Sequence, residues 1–261
     1  MKNKLTFLTI ALLLLTSLSC KKETTNDEHN PSPSQIIEYK ISIRKNNILE
    51  TEFVLNSDHK LKSINSFSPS GSSNTIEYHY TNDKKLDYSY NSSTGKDTVR
   101  YEYQNNKISK IIEESASYTV SYTSDGKPNI IHVFAGACGC NYNFEYNNYN
   151  VKSIYFKIPS GYITDSMQYD NYKNPFTDLW PYSIFNPLYL SANNIIEHKN
   201  LRVEDTNYGT GQPPSWIVEA NDMQYSYSYN SDSLPYEFYE YNLTTLDTNH
   251  YQIDYLVNLA N

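Results

Sequence analysis

Positive charge is scarce in this chain of 261 residues: 21 Lys and Arg stand against 29 Asp and Glu, a formal net charge of −8. That balance argues against a nucleic-acid partner, which demands clustered Lys and Arg, and against polybasic attraction to anionic lipid. Long apolar runs are scarcer still. One covers Leu5 to Leu15 and is too short to span a bilayer as a helix. Beyond it, no 18-residue window carries the periodicity of an amphipathic helix. The six His residues (29, 59, 79, 132, 198 and 250) are scattered, and none forms a ligand-spaced pair. There is no Gly-x-Ser-x-Gly elbow, no His-Glu-x-x-His and no phosphate-cradling Gly loop. The sequence therefore points to a protein that is not an enzyme, with no cofactor and no metal.

What is abundant is tyrosine: 27 residues, against 9 Phe and 2 Trp. Much of it falls in one repeating unit. The unit reads aromatic-x-aromatic, four polar or turn residues, Lys, an aliphatic or Pro, two further residues, then Ile. Copies start at Phe53, Tyr78, Tyr101, Val120, Phe144, Met167 and Tyr227, with a period near 23 over the first six. In Tyr78-His79-Tyr80, Tyr101-Glu102-Tyr103 and Tyr225 to Tyr229 the rings alternate with polar residues. Period two puts the rings on one face of a strand. The Asn-, Asp- and Gly-rich segments that follow are turns. Each unit is then one β-hairpin. The repeated Lys (60, 85, 107 and 127) is expected to re-enter the next strand on its solvated side.

Seven or eight hairpins predict an all-β antiparallel meander of about 14–16 strands, more than an open twisted sheet tolerates without curling or closing. The expected architecture is a strongly curved sheet or a wide barrel, complete or incomplete, with its Tyr-rich face inward. A single repeat-built domain covers residues 36–261. The positions beside the rings are Glu, Ser, His and Asn rather than the aliphatics of a lipid-facing band, so the barrel reads as soluble.

The repeat, together with Tyr169-Asp170-Asn171-Tyr172-Lys173-Asn174-Pro175-Phe176, resembles a family of uncharacterised Bacteroidota lipoproteins with a porin-like β fold and YD-like repeats. The resemblance covers most of residues 36–257. It implies a β architecture and an envelope location, and it brings no activity and no functional residues with it.

The N-terminus reads as an export signal over residues 1–19: Lys2 and Lys4, an apolar core, then Thr16-Ser17-Leu18-Ser19 before Cys20. Cys20 fits a lipobox. Cleavage before it and acylation, palmitate included, would anchor the chain to the outer membrane, on either its periplasmic or its surface side. Cleavage removes two Lys and no acid, leaving 19 basic against 29 acidic residues, a net −10. Residues 20–35 contain no large apolar residue and read as a flexible tether.

Three segments depart from the repeat. Ala135-Gly136-Ala137-Cys138-Gly139-Cys140 holds the two remaining cysteines, candidates for a local disulfide or for buried thiols. Residues 175–197 are an apolar, Pro-broken insertion, with one short helix expected around Phe176 to Trp180, that must plug one end of the barrel or serve as a lid. Tyr208 to Trp216 is a Gly/Pro loop ending in the second Trp. The functional expectation is a lipid-anchored, non-catalytic envelope protein binding a glycan or an amphipathic small molecule on a Tyr-rich face, through Trp180, Tyr182 and Trp216. The alternative is a structural or interaction scaffold with no small-molecule site.

Overall fold

The computed structural model describes residues 36–135, 138–177, 179 and 186–259, apart from the side chains at 36, 37, 96, 138 and 259. The expected signal peptide, Cys20 and the tether lie outside the described residues.

The chain forms sixteen antiparallel strands: β1 (Ile36–Lys45), β2 (Ile48–Asn56), β3 (Leu61–Phe67), β4 (Ser73–Tyr80), β5 (Leu86–Asn91), β6 (Lys96–Gln104), β7 (Lys107–Ile112), β8 (Ser117–Tyr122), β9 (Pro128–Ala135), β10 (Cys138–Asn147), β11 (Asn150–Ile158), β12 (Gly161–Lys173), β13 (Asn193–Asp205), β14 (Trp216–Tyr229), β15 (Pro235–Asn242) and β16 (Thr248–Leu259). Each strand pairs with its sequence neighbours, and β16 pairs back onto β1, so the meander closes into a barrel. Closure settles the choice between curved sheet and barrel, because no edge runs the length of the sheet.

The face that closes inward is apolar. Reading across the wall, Ile43 opposes Ile253, Ile41 opposes Phe53, Phe53 opposes Ile64 and Ile64 opposes Ile76. Farther round, Tyr101 opposes Ile111, Val120 opposes Ile131 and Phe144 opposes Ile154. Most of these residues are buried and belong to one core cluster. The opposite face is charged: Lys40 lies between Glu38 and Glu52, Lys62 reaches Glu38, Lys199 reaches Glu197, and Arg44 reaches Asp254. A barrel spanning lipid needs an apolar outer band and has a polar interior; this wall has the reverse polarity.

A bulge recurs at one position of every repeat. The register slips between Val54 and Leu55, His79 and Tyr80, Glu102 and Tyr103, Ser121 and Tyr122, Glu145 and Tyr146, Gln168 and Tyr169, and Ser228 and Tyr229. Each slip puts an extra residue into the returning strand. Leu61 and Ile64, Ile108 and Ile111, and Val151 and Ile154 therefore face the core together, although a spacing of three would put them on opposite faces of a regular strand. The extra residue bends each hairpin at the end that carries the repeat's turns.

The bend opens seams. Strands joined at the far end, such as β3–β4, β7–β8 and β11–β12, are in register only over the part nearest their connection. Beyond it a tyrosine crosses the gap, in three copies the second aromatic of the repeat. Tyr80 donates its hydroxyl to the Leu61 carbonyl at 2.6 Å, Tyr122 to Ile108 at 2.7 Å and Tyr169 to Val151 at 2.7 Å. Tyr227 reaches Ile195 at 2.9 Å and Tyr255 reaches Pro235 at 2.8 Å. These side chains replace ladder bonds that the splayed backbones do not make.

The repeated lysines, expected on the solvated side of the next strand, also lie over rings. The ammonium of Lys60 sits 5.1 Å from the ring centre of Tyr80, Lys85 5.6 Å from Tyr103, Lys107 5.1 Å from Tyr122, and Lys127 5.3 Å from Tyr146. Each lysine caps the ring of the next hairpin, because the seam brings that ring under its tip. Such a contact is worth roughly 0.5–1 kcal/mol at an exposed site.

Candidate functional site

The described part of the segment between β12 and β13 (174–177, 179 and 186–192) packs against the core at one end of the barrel as a plug. Asn174, fully buried, organises it. Its side-chain amide donates to the carbonyls of Leu188 at 2.5 Å and Ser191 at 2.9 Å, and its oxygen accepts from the Phe176 N–H at 2.9 Å. Ser191, also buried, donates to the Tyr169 hydroxyl and accepts from the Val151 N–H. This explains the local sequence: Tyr169 spans the seam and Asn174 folds the insertion back onto it.

Residues 178 and 180 of the expected 176–180 helix lie outside the described residues; residues 175–177 form a turn, and the one helix among the described residues is α1 (Pro187–Leu190), within the insertion at 175–197. Asn186 caps it, accepting from the Leu188 N–H at 3.0 Å, and Pro187 occupies the first turn. Asn174 and Asn186 make the same contact, each side-chain oxygen accepting from the N–H two residues on, and at Asn186 that contact opens α1.

Phe176 and Leu179 are buried, and Phe176 packs 5.3 Å from Phe53 and 6.4 Å from Tyr189, centroid to centroid. The insertion is thus a plug that completes the core. Burial pushes the Tyr189 phenol up to about 12.

The plug does not fill the mouth. A cleft of about 480 Å³ remains between it and the wall formed by β16, β1 and β2. Tyr39, Ile41, Leu55, Leu179, Tyr255 and Val257 give it an apolar lining, with Pro175 and Thr177 at its side. His59 and Lys60, from the β2–β3 turn, and Lys40 supply its polar groups; among the described residues no carboxylate lines it. The His59 ring stacks on Tyr39 at 4.2 Å. His59 holds φ at +60°, which turns its side chain back over the mouth. Lys40 shares its charge with Glu38 and Glu52, whereas Lys60 lies over the Tyr80 ring, donates to the Lys84 carbonyl and feels the Asp58 carboxylate in the same turn.

Of the expected site residues, Trp180 and Tyr182 lie outside the described residues. Trp216 begins β14 at the far end of the barrel and is 59% exposed. The plug hangs on the start of β13 and Trp216 pairs with Asp205 at its end, so a whole strand, about 40 Å at ~3.3 Å per residue, separates them. Trp216 therefore does not join the plug in one site. Cys140 stands half-exposed on β10, opposite Val133. The proposed pairing with Cys138 depends on a side chain outside the described residues.

One polar cluster sits higher in the wall. Asp165 accepts from His198 Nε2 and from Asn200 Nδ2, both at 2.8 Å. A catalytic set would also need a hydroxyl or thiol on the imidazole. Among the described residues, His198 bonds to none.

No protein-family model and no curated protein matches the chain. Solved structures do. A porin-like protein from Bacteroides uniformis superposes with a TM-score of 0.53 at 11% identity, covering 87% of this chain and 99% of that one. A porin-like protein from Bacteroides vulgatus gives a TM-score of 0.43 at 11% identity, over 85% and 99%. At that identity the first likeness is one of fold alone, and it agrees with the β architecture that the family resemblance implied.

Proposed function

We propose that this chain is a non-catalytic, lipid-anchored envelope protein that takes an amphipathic small molecule into the cleft at its plugged mouth. The cleft carries the reading. Its volume lies in the range of small-ligand sites, and its lining is apolar with a few convergent polar groups, the usual composition of such sites. The basic character of the lip favours an apolar body with an anionic or hydrogen-bond-accepting head, set against Lys60 and His59. Attachment through Cys20 rests on the lipobox-like leader, and an outer-membrane location on that leader and the porin-like fold. The charged outer wall is consistent with a barrel held beside the membrane by its anchor rather than within it.

The test is calorimetric titration of the residue 36–261 fragment with dodecanoate. One-to-one binding in the micromolar range is expected, reduced at least tenfold by Val257→Trp, which fills the cleft from a 47% exposed position. No heat at 1 mM ligand, or binding unchanged in the variant, would overturn the reading.

The scaffold alternative is favoured by one observation. β14 pairs with β15 only from Met223 onward, so Trp216 to Glu219 form a short exposed edge beyond β15, with Ile217 46% and Val218 63% exposed. Such an edge accepts a strand from a protein partner. Loss of a co-purifying partner on Val218→Pro would support that reading, and unchanged recovery would remove it.

A further inference from the structure

A second cleft, of about 440 Å³, opens on the side wall where β11 and β12 part. Their register ends at Ser153 and Ser166. Beyond that point Asn150 to Lys152 pair only with β10, and Met167 to Lys173 only with β13. The Tyr169 hydroxyl and Ser191 bridge the gap from within, leaving its outer side open.

The lining is unlike that of the plugged mouth. Asn147, Asn148, Gln168 and Asn171 are exposed, and their side-chain amides hydrogen-bond to no other described residue. Asn150 and Asn193 bond to each other at 3.0 Å and set the floor. Tyr149, in the β10–β11 turn, is 73% exposed, and the Lys127 ammonium lies 5.0 Å from its ring centre. The Lys127 amine also donates to the Asn148 carbonyl, which fixes the turn beneath the ring. One exposed aromatic ring thus stands at the rim of a cleft lined with amides that hydrogen-bond to no other described residue.

An unpaired primary amide offers two donors and one acceptor. A row of such groups matches a ligand whose own groups both donate and accept, which is the chemistry of vicinal hydroxyls. A pyranose adds C–H faces that pack on an aromatic ring. Asp170 and Lys152 bring charges of both signs to the cleft, so its lining selects no ion by charge, and an apolar ligand would strand the amides. We propose that the β11–β12 seam is a saccharide-binding site, with Tyr149 as its stacking platform and Gln168 and Asn171 as hydroxyl-reading groups. This site is independent of the plugged-mouth cleft, so the chain would carry a sugar site and an amphiphile site on separate surfaces.

The experiment is saturation-transfer NMR and calorimetry of residues 36–261 against cellotetraose, maltotetraose, mannotetraose and chitotetraose. At least one is expected to bind with a Kd below 1 mM. Tyr149→Ala should weaken it about tenfold, the size of effect seen when a stacking anchor is truncated, and Tyr149→Phe should retain it. Gln168→Ala combined with Asn171→Ala should abolish it. Tyr149 is exposed, so the fold should survive, and an unchanged dodecanoate titration of each variant would confirm that. The proposal is overturned if none of the four sugars binds at 10 mM, or if binding persists in both Tyr149→Ala and the double variant.

Discussion

Removing the hydroxyl of Tyr122 should destabilise the barrel, while removing that of Tyr146 should not. The two residues occupy the same place in successive repeats. Tyr122 donates to the Ile108 carbonyl across a seam at 2.7 Å. The Tyr146 hydroxyl is buried with no hydrogen-bond partner among the described residues. Tyr122→Phe deletes one intramolecular bond, worth about 1 kcal/mol net. In a domain of this size that corresponds to a fall in Tm of roughly 2–4 °C. Tyr80→Phe, Tyr227→Phe and Tyr255→Phe should do the same, and Tyr169→Phe somewhat more, because its hydroxyl also accepts from Ser191. Tyr146→Phe removes a desolvated group that gains nothing in return, so its Tm should be unchanged or higher. The seams lie on separate hairpins, so combining Tyr80→Phe with Tyr122→Phe and Tyr227→Phe should add to roughly 3 kcal/mol. Thermal unfolding followed by circular dichroism at pH 7 reads all of these. If Tyr146→Phe costs as much as Tyr122→Phe, the hydroxyls are not what joins the hairpins and ring packing alone does so.

Other perturbations address the plug and the phenols. Asn174→Ala leaves the Leu188 carbonyl and the Phe176 N–H unpaired, while the Ser191 carbonyl keeps the Thr177 hydroxyl, a cost of roughly 3 kcal/mol; a Tm drop near 10 °C is expected, with faster proteolysis around residues 177–190. Alkaline unfolding should be steep. Burial raises Tyr169, Tyr189 and Tyr225 to about 12. A phenol whose folded pKa exceeds its unfolded value of about 10 stabilises the fold fully below pH 10, and that stabilisation is lost as pH rises toward 12. Three such groups give a slope of about 4 kcal/mol per pH unit, so cooperative unfolding between pH 10 and 12, followed by circular dichroism, is the expected result. A barrel still folded and no less stable at pH 12 would contradict it. Lys107→Met removes a cation from the Tyr122 ring and should lower stability by roughly 0.5–1 kcal/mol, an effect that salt weakens little if the contact is partly desolvated.

Much of the fold is legible in the repeat. Alternating rings such as Tyr101-Glu102-Tyr103 mark the strands, and Asn105-Asn106 and Ser124-Asp125-Gly126 mark the turns. The spacing Leu61-x-x-Ile64 looks wrong for a strand, and that misfit was the signal of the bulge. It recurs in Ile108-x-x-Ile111 and Val151-x-x-Ile154, so it was available as a pattern, although its meaning emerges only once both residues are seen to face the core. The lysine caps were hidden for a different reason. Lys60 and Tyr80 sit in different repeats, and only the seam brings them together. The plugged-mouth cleft joins Tyr39 in the first strand, Leu179 in the insertion and Tyr255 in the last strand, a meeting that barrel closure creates and that no local spacing encodes. Trp216 drew notice as a rare residue on a Gly/Pro loop, yet strand direction places it at the opposite end from the plug.

The most direct measurement is a crystal structure of residues 36–261 soaked with 11-bromoundecanoate and recorded at the bromine edge. The expected result is one anomalous peak enclosed by Tyr39, Leu55, Leu179 and Tyr255, with the carboxylate toward His59 and Lys60. A peak elsewhere in the barrel, or none with the cleft visibly empty, would contradict the account.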